Sequence, residues 1–112
     1  MKRKLNITRP ENVGKRLVLT RLALGFENQK EFYAATGLGA SAYSMWESGD
    51  NFPRVEHMMR LCQEFKLTLD WLYRGDLSSL PHSLAVAIKN EAAKKPERFA
   101  EALRFIDDEI QT

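Results

Sequence analysis

Apolar residues along the chain recur at helical spacing, and no stretch alternates with period two for more than a few positions. Val13, Leu17 and Leu24, with Leu22 alongside, mark a first helix over about 11–24, with Pro10 before it and Gly25 as its stop. Asn28-Gln29-Lys30-Glu31 has the pattern of a capping box and opens a second helix, with Phe32 and Ala35 on its apolar face and Gly37 at its end. The turn Gly37-Leu38-Gly39 leads into a third helix, Ala40 to Ser48, with Tyr43 and Trp46 on one face and Gly49 closing it. Pro53 opens a fourth, in which Val55, Met58, Met59, Leu61, Cys62 and Phe65 are expected to face inward. Thr68 caps a fifth helix with Leu69, Trp71, Leu72 and Tyr73, stopped by Gly75. After a connector over 76–81, Leu84, Ala85 and Ile88 mark a sixth helix. Pro96 suits the first turn of a seventh, whose face is Phe99, Ala102, Leu103, Ile106 and Ile110. The fold class is all-α, with seven helices expected and no internal repeat.

The second and third helices are short and joined by a tight turn containing glycine, which is the arrangement of a helix-turn-helix. Such a turn forces the helices to cross steeply. The second of the pair, here the helix over 40–48, then projects where it can enter a major groove.

Charge sharpens this picture. The chain has 112 residues, which suits one domain, and a net charge of only +2. Residues 1–21 nevertheless carry Lys2, Arg3, Lys4, Arg9, Lys15, Arg16 and Arg21 against Glu11 alone. A basic arm on a nearly neutral body is a footprint of phosphate contact. The organisation expected is an arm over 1–11, a helix-turn-helix domain over 12–75 and a helical extension over 76–112. Other chemistry finds no support. No stretch approaches the ~18 apolar residues of a spanning helix, and no apolar run follows the basic start as in a secretory signal. Cys62 is the single cysteine, and with His57 and His82 it makes too few ligands for a zinc site. Ser41, Ser44 and Ser48 lack the setting of a hydrolase nucleophile. The expectation is a cytoplasmic protein without enzymatic activity, catalytic residues, metal, cofactor, membrane contact or small-molecule ligand.

Several landmarks resemble the Cro-like, phage-repressor-type helix-turn-helix family, also called the xenobiotic-response-element family. They are Gly14-Lys-Arg-Leu17 with Arg21, Gln29-Lys-Glu-Phe32 with Gly37, Tyr43-Ser-Met-Trp-Glu47-Ser-Gly49, Pro53, Leu61, and Leu67-Thr-Leu-Asp-Trp-Leu-Tyr-Arg-Gly75. The likeness covers about residues 12–75, and the last motif is similar to one in small bacterial and prophage regulators. It implies a five-helix, lambda-repressor-like domain, followed here by two further helices. It also implies that Gln29 grips a phosphate and that Arg54 lies near the DNA backbone or minor groove; Asn28 and Asn51, with Lys2, Arg3, Lys4 and Arg9 of the basic arm, complete the expected phosphate contacts. Ala40, Ser41, Ser44 and Met45 would meet bases, and Arg21 and Glu47 would form an ion pair tying the first helix to the third.

This chain departs from the family pattern in places. Tyr33 stands where alanine is usual, so its phenol must swing outward or widen the crossing of the second and third helices. Gly39 replaces a Ser or Thr cap, and Asp50 adds negative charge near the expected phosphates. The third helix has no Arg, Lys, Gln or Asn, the side chains suited to bidentate base contacts. Two readings stay open. One is a transcriptional regulator binding double-stranded operator DNA as a homodimer, held mainly by residues 82–110. The other is a protein-interaction module on the same fold, an antitoxin-like or anti-repressor partner. The C-terminal stripe either folds back on its own core or meets a second copy, and truncation after Ser79 is expected to leave a folded monomer.

Overall fold

The computed structural model describes residues 9–103. Lys2, Arg3 and Lys4 of the expected arm, and Ile106 and Ile110 of the expected stripe, lie outside the described residues. Among the described residues seven α-helices appear in the expected order: α1 (Pro10–Ala23), α2 (Gln29–Thr36), α3 (Ala40–Ser48), α4 (Val55–Phe65), α5 (Leu69–Arg74), α6 (His82–Lys94) and α7 (Pro96–Phe99). Single 3₁₀ turns cover Leu77–Ser79 and Ala100–Ala102. There is no β-strand among the described residues.

The caps follow from residue type. Asn28 Oδ1 accepts the Glu31 N–H at 3.0 Å, and Thr68 Oγ1 accepts the Trp71 N–H at 3.0 Å. Gly39 caps α3 with no side-chain bond, and Gly37 ends α2 in the left-handed region, at φ 75°. Pro53 lies ahead of α4 rather than in it, with Arg54 as the N-cap.

The helix α1 is buried nearly all round, from Asn12 to Gly14 and from Arg16 to Arg21, well beyond the apolar positions that mark it in the sequence. It packs against α3 on one side and α5, α6 and the last 3₁₀ turn on others. Its polar side chains therefore need internal partners. Arg16 is fully buried; its Nε donates to the Ala102 carbonyl at 2.6 Å and its Nη1 to the Leu72 carbonyl at 3.3 Å. Thr20 Oγ1 donates to the Arg16 carbonyl at 2.7 Å and accepts the Trp71 indole N–H at 2.9 Å. No buried side-chain nitrogen or oxygen among the described residues lacks a partner.

Two expectations about apolar faces need correction. The seventh helix does not run from Pro96 to Ile110: α7 stops at Phe99, a 3₁₀ turn follows, and Leu103 is extended. Phe99 and Ala102 are buried in the same core as Leu17, Trp71 and Ile88, so this part of the stripe folds back on its own chain. The turn at Ala102 offers its carbonyl to Arg16. In α4, Met58 and Leu61 are buried and Cys62 and Phe65 half-buried, but Val55 and Met59 face solvent. The apolar arc of α4 is wider than the side its neighbours cover.

One core thus runs through residues 13–102. Truncation after Ser79 removes Leu80, Ile88, Ala92, Phe99 and Ala102 from it and takes an acceptor from the buried Arg16 guanidinium. Losing even one core Phe costs ~3–5 kcal/mol, a large share of the ~5–15 kcal/mol that holds a domain folded. The truncated chain is therefore expected to lose its cooperative thermal transition by circular dichroism. A sharp transition within a few degrees of the full chain would contradict this packing.

Candidate nucleic-acid interface

α3 is fixed from its inner face. Tyr43 and Trp46 are buried, and an aromatic chain continues from them: Phe32–Tyr43 at 5.6 Å, Tyr43–Trp46 at 5.9 Å and Trp46–His57 at 5.2 Å between ring centroids. The last turn of α3 lies directly on α1. A Cβ placed on Gly14 would meet the Trp46 carbonyl oxygen at 2.4 Å and that of Glu47 at 2.7 Å. Only a residue without a side chain fits this crossing. Gly49, at φ 84°, ends α3 against Glu11, whose Cα would lie 2.9 Å from an added Cβ.

Glu47 is the hub of the polar contacts here. Its Oε2 accepts from Arg21 Nε at 2.8 Å and from the Tyr43 hydroxyl at 2.5 Å. Its Oε1 accepts from Gln29 Nε2 at 3.0 Å and from Arg21 Nη2 at 3.4 Å. The side chains of Arg21 and Glu47 are only 10% and 5% exposed. Arg21 Nη1 also donates to the carbonyls of Phe26 (3.0 Å) and Glu27 (2.8 Å), tying down the loop that leads into α2. One carboxylate and one guanidinium thus join α1, the entry to α2, and α3. Burial, then the Glu47 charge and hydrogen bond, push the Tyr43 phenol far above its ordinary pKa, so it stays a neutral donor.

The outer face of α3 has another character. Ala40, Ser41, Ser44 and Met45, the expected base-facing residues, are all exposed. Met45 is bracketed by the following loop: its carbonyl accepts from Ser48 Oγ (3.1 Å) and from the N–H groups of Asp50 (3.0 Å) and Asn51 (3.2 Å). Asn51 Nδ2 also donates to its sulfur at 3.5 Å. The Asp50 carboxylate accepts from Ser48 Oγ at 2.9 Å.

The residues expected to meet phosphates sit at element ends. Asn28 spends its oxygen on the α2 cap, and its NH₂ is the donor end an anion needs. Gln29 directs one amide hydrogen at Glu47, a bond that does not use its second hydrogen. Arg54 is exposed and pairs loosely with Glu56 at 3.6 Å, a contact of a kind worth little in water. Arg9 is exposed at the start of α1, where its carbonyl accepts the N–H groups of Asn12 and Val13. Tyr33 does not swing out: it is half-buried, with its ring 6.1 Å from that of Tyr43.

Sequence reasoning did not identify Tyr43 or Gln29 as partners of Glu47, nor Arg16 as the residue that binds the C-terminal turn. The Tyr43 contact had a signal, since residues four apart on a helix are neighbours. The other two join segments far apart in sequence. Among the described residues no group of three His, Cys, Asp or Glu is placed to hold a metal, and no helix is long and apolar enough to cross a membrane.

Removing the hub carboxylate strands Arg21. Glu47→Ala is expected to destabilise by ~3–5 kcal/mol, as breaking a buried pair does. The lower end is favoured because Arg21 keeps two carbonyl acceptors. Urea unfolding of the variant checks this, and a loss near zero would remove the pair from the account of stability.

Comparison with known proteins gives one match. The sequence model of the helix-turn-helix family matches residues 27–72, from the entry to α2 into α5. No curated protein and no solved structure matches the chain significantly. The matched family is a DNA-binding regulatory family rather than an enzymatic one. Its match coincides with the α2–α3 pair and the helices that cover it, so residues 27–72 are similar to the Cro-like helix-turn-helix family, a likeness that supports a DNA-binding regulator of the helix-turn-helix kind.

Proposed function

We propose that this protein is a sequence-specific transcriptional regulator of the repressor type, which binds operator DNA as two copies with α3 in the major groove. The observation that carries the reading is the two-faced α3: its inner side is locked by Glu47, Tyr43 and Trp46, while Ala40, Ser41, Ser44 and Met45 stand clear of the core. A rigid helix with a free face suits groove insertion. Phosphate contacts are assigned to Asn28, Gln29, Asn51 and Arg54 beside it, and to Lys2, Arg3, Lys4 and Arg9 of the N-terminal arm. Pairing is needed because one small module buries only ~600–1,000 Å² on DNA, and two copies on a two-fold site reach successive major grooves ~34 Å apart. Such a regulator works in the cytoplasm, where a bacterial chromosome lies.

The face of α3 also shapes the kind of readout. Serines give single hydrogen bonds, and Ala40 and Met45 offer apolar contact to thymine methyls. Specificity then leans on those methyls and on DNA shape. The lack of a bidentate side chain on α3 favours a second reading, a protein-interaction module on the same fold.

Selection from random-sequence DNA at moderate salt separates the readings: an enriched palindrome supports the regulator, and no enrichment supports the module. On the selected site, Ser41→Ala is expected to relax preference at one position, while Gln29→Ala weakens binding to all sequences alike. A change of preferred bases in Gln29→Ala would overturn the register assigned to α2 and α3.

Deletion of residues 1–9 removes four positive side chains. If two to four of them neutralise phosphates, the slope of log K against log salt falls by about 2–4. An unchanged slope removes the arm from the interface.

A further inference from the structure

The apolar arc of α4 is only half covered. Met58 and Leu61 are sealed in the core, yet Val55 and Met59 are 52% and 49% exposed. Val55, Met59 and half-buried Cys62 follow one another at spacings of four and three, so they form a single stripe along the helix. Phe52, 49% exposed in the loop between α3 and α4, extends it at one end. The Phe52 ring lies 5.4 Å from that of Tyr73, whose hydroxyl is anchored on the Pro53 carbonyl at 2.7 Å. Exposed large apolar residues scattered singly need no explanation, whereas ones that adjoin do.

We infer that this stripe — Phe52, Val55 and Met59 with Tyr73 behind them — is where a second copy of the chain docks, α4 against α4 in antiparallel sense about a two-fold axis near Met59. A two-fold contact presents the same patch on both sides, so a continuous apolar stripe is its own complement. The ends complement each other as well. Such a pairing carries Lys66, at the C-terminal end of one α4, to the Phe52–Tyr73 rings and Asp50 at the start of the other, a cation opposite aromatic faces and a carboxylate. The stripe begins in the loop that leaves α3, so docking there fixes how far apart the two copies hold α3. Its size suits the role. A few half-exposed side chains fall short of the ~800 Å² per partner of a stable complex, so the copies part readily in solution and combine on DNA. The inference rests on the paired binding proposed above and moves the contact away from residues 82–110, where Phe99 and Ala102 already serve the core.

The test is a cross-link. In the full chain carrying Cys62→Ala, Met59→Cys places a thiol on the axis, opposite its own copy. Val86→Cys, on α6 and 41% exposed, is the comparison. Mild oxidation on operator-length palindromic DNA is expected to give a disulfide dimer for the first and not for the second. Met59→Glu sets like charges together and is expected to weaken paired binding to the palindromic DNA at least ~10-fold, with half-site binding and the thermal melt unchanged. Cross-linking through residue 86 instead, or through neither, overturns the inference, as does a Met59→Glu chain that binds the palindromic DNA as before. Each outcome is separate from DNA reading, because a Met59→Glu monomer still binds half-site DNA if α3 enters the groove.

Discussion

A helix sealed nearly all round while carrying two guanidinium groups constrains the rest of this molecule. Arg16 is sealed from water and the Arg21 side chain keeps only 10% of its surface exposed, and a buried cation without hydrogen-bond acceptors is costly. The acceptors come from distant segments: Arg16 takes the carbonyls of Leu72 and Ala102, and Arg21 takes Glu47 and the loop carbonyls of Phe26 and Glu27. The C-terminal turn and α3 are therefore both positioned by α1. Nearby, Thr20 accepts the Trp71 indole, which holds α5 to the same helix.

This arrangement divides α3 into two sides under different rules. The inner side answers to packing and to the Glu47 network, and the contact of its last carbonyls with Gly14 leaves no room for a side chain. On the outer side Ala40, Ser41 and Ser44 are exposed and Met45 is held only by the following loop, so changes there disturb the fold little. A helix with no Arg, Lys, Gln or Asn can thus sit on a scaffold of the Cro-like kind. Tyr33, on α2, packs against that inner side, and Tyr43 belongs to it. The first half-buries beside the second, and the second adds a neutral donor to a carboxylate that already holds an arginine.

Apolar surface is divided in a similar way. Phe99 and Ala102 disappear into the core, whereas Val55 and Met59 stay in water although they continue the apolar arc of α4. Both outcomes depend on which neighbour is present. The C-terminal turn has α1 to close against, and the outer edge of α4 has no neighbour within the described residues.

By itself the sequence determined the seven helices, their order and the α2–α3 unit, because local rules decide these: caps at Asn28 and Thr68, stops at Gly25, Gly37, Gly49 and Gly75, and apolar spacing between them. It also brought Arg21 and Glu47 together as a pair, through the likeness of its landmarks to a known family. Tertiary structure alone decided that α1 is buried all round and that Arg16 binds the C-terminal turn. It also decided that α7 ends at Phe99 and that Val55 and Met59 face out. Periodicity identifies which residues are apolar, but burial depends on whether another helix arrives to cover them. A buried arginine is likewise indistinguishable in sequence from a surface one until its acceptors, here dozens of residues away, are brought to it.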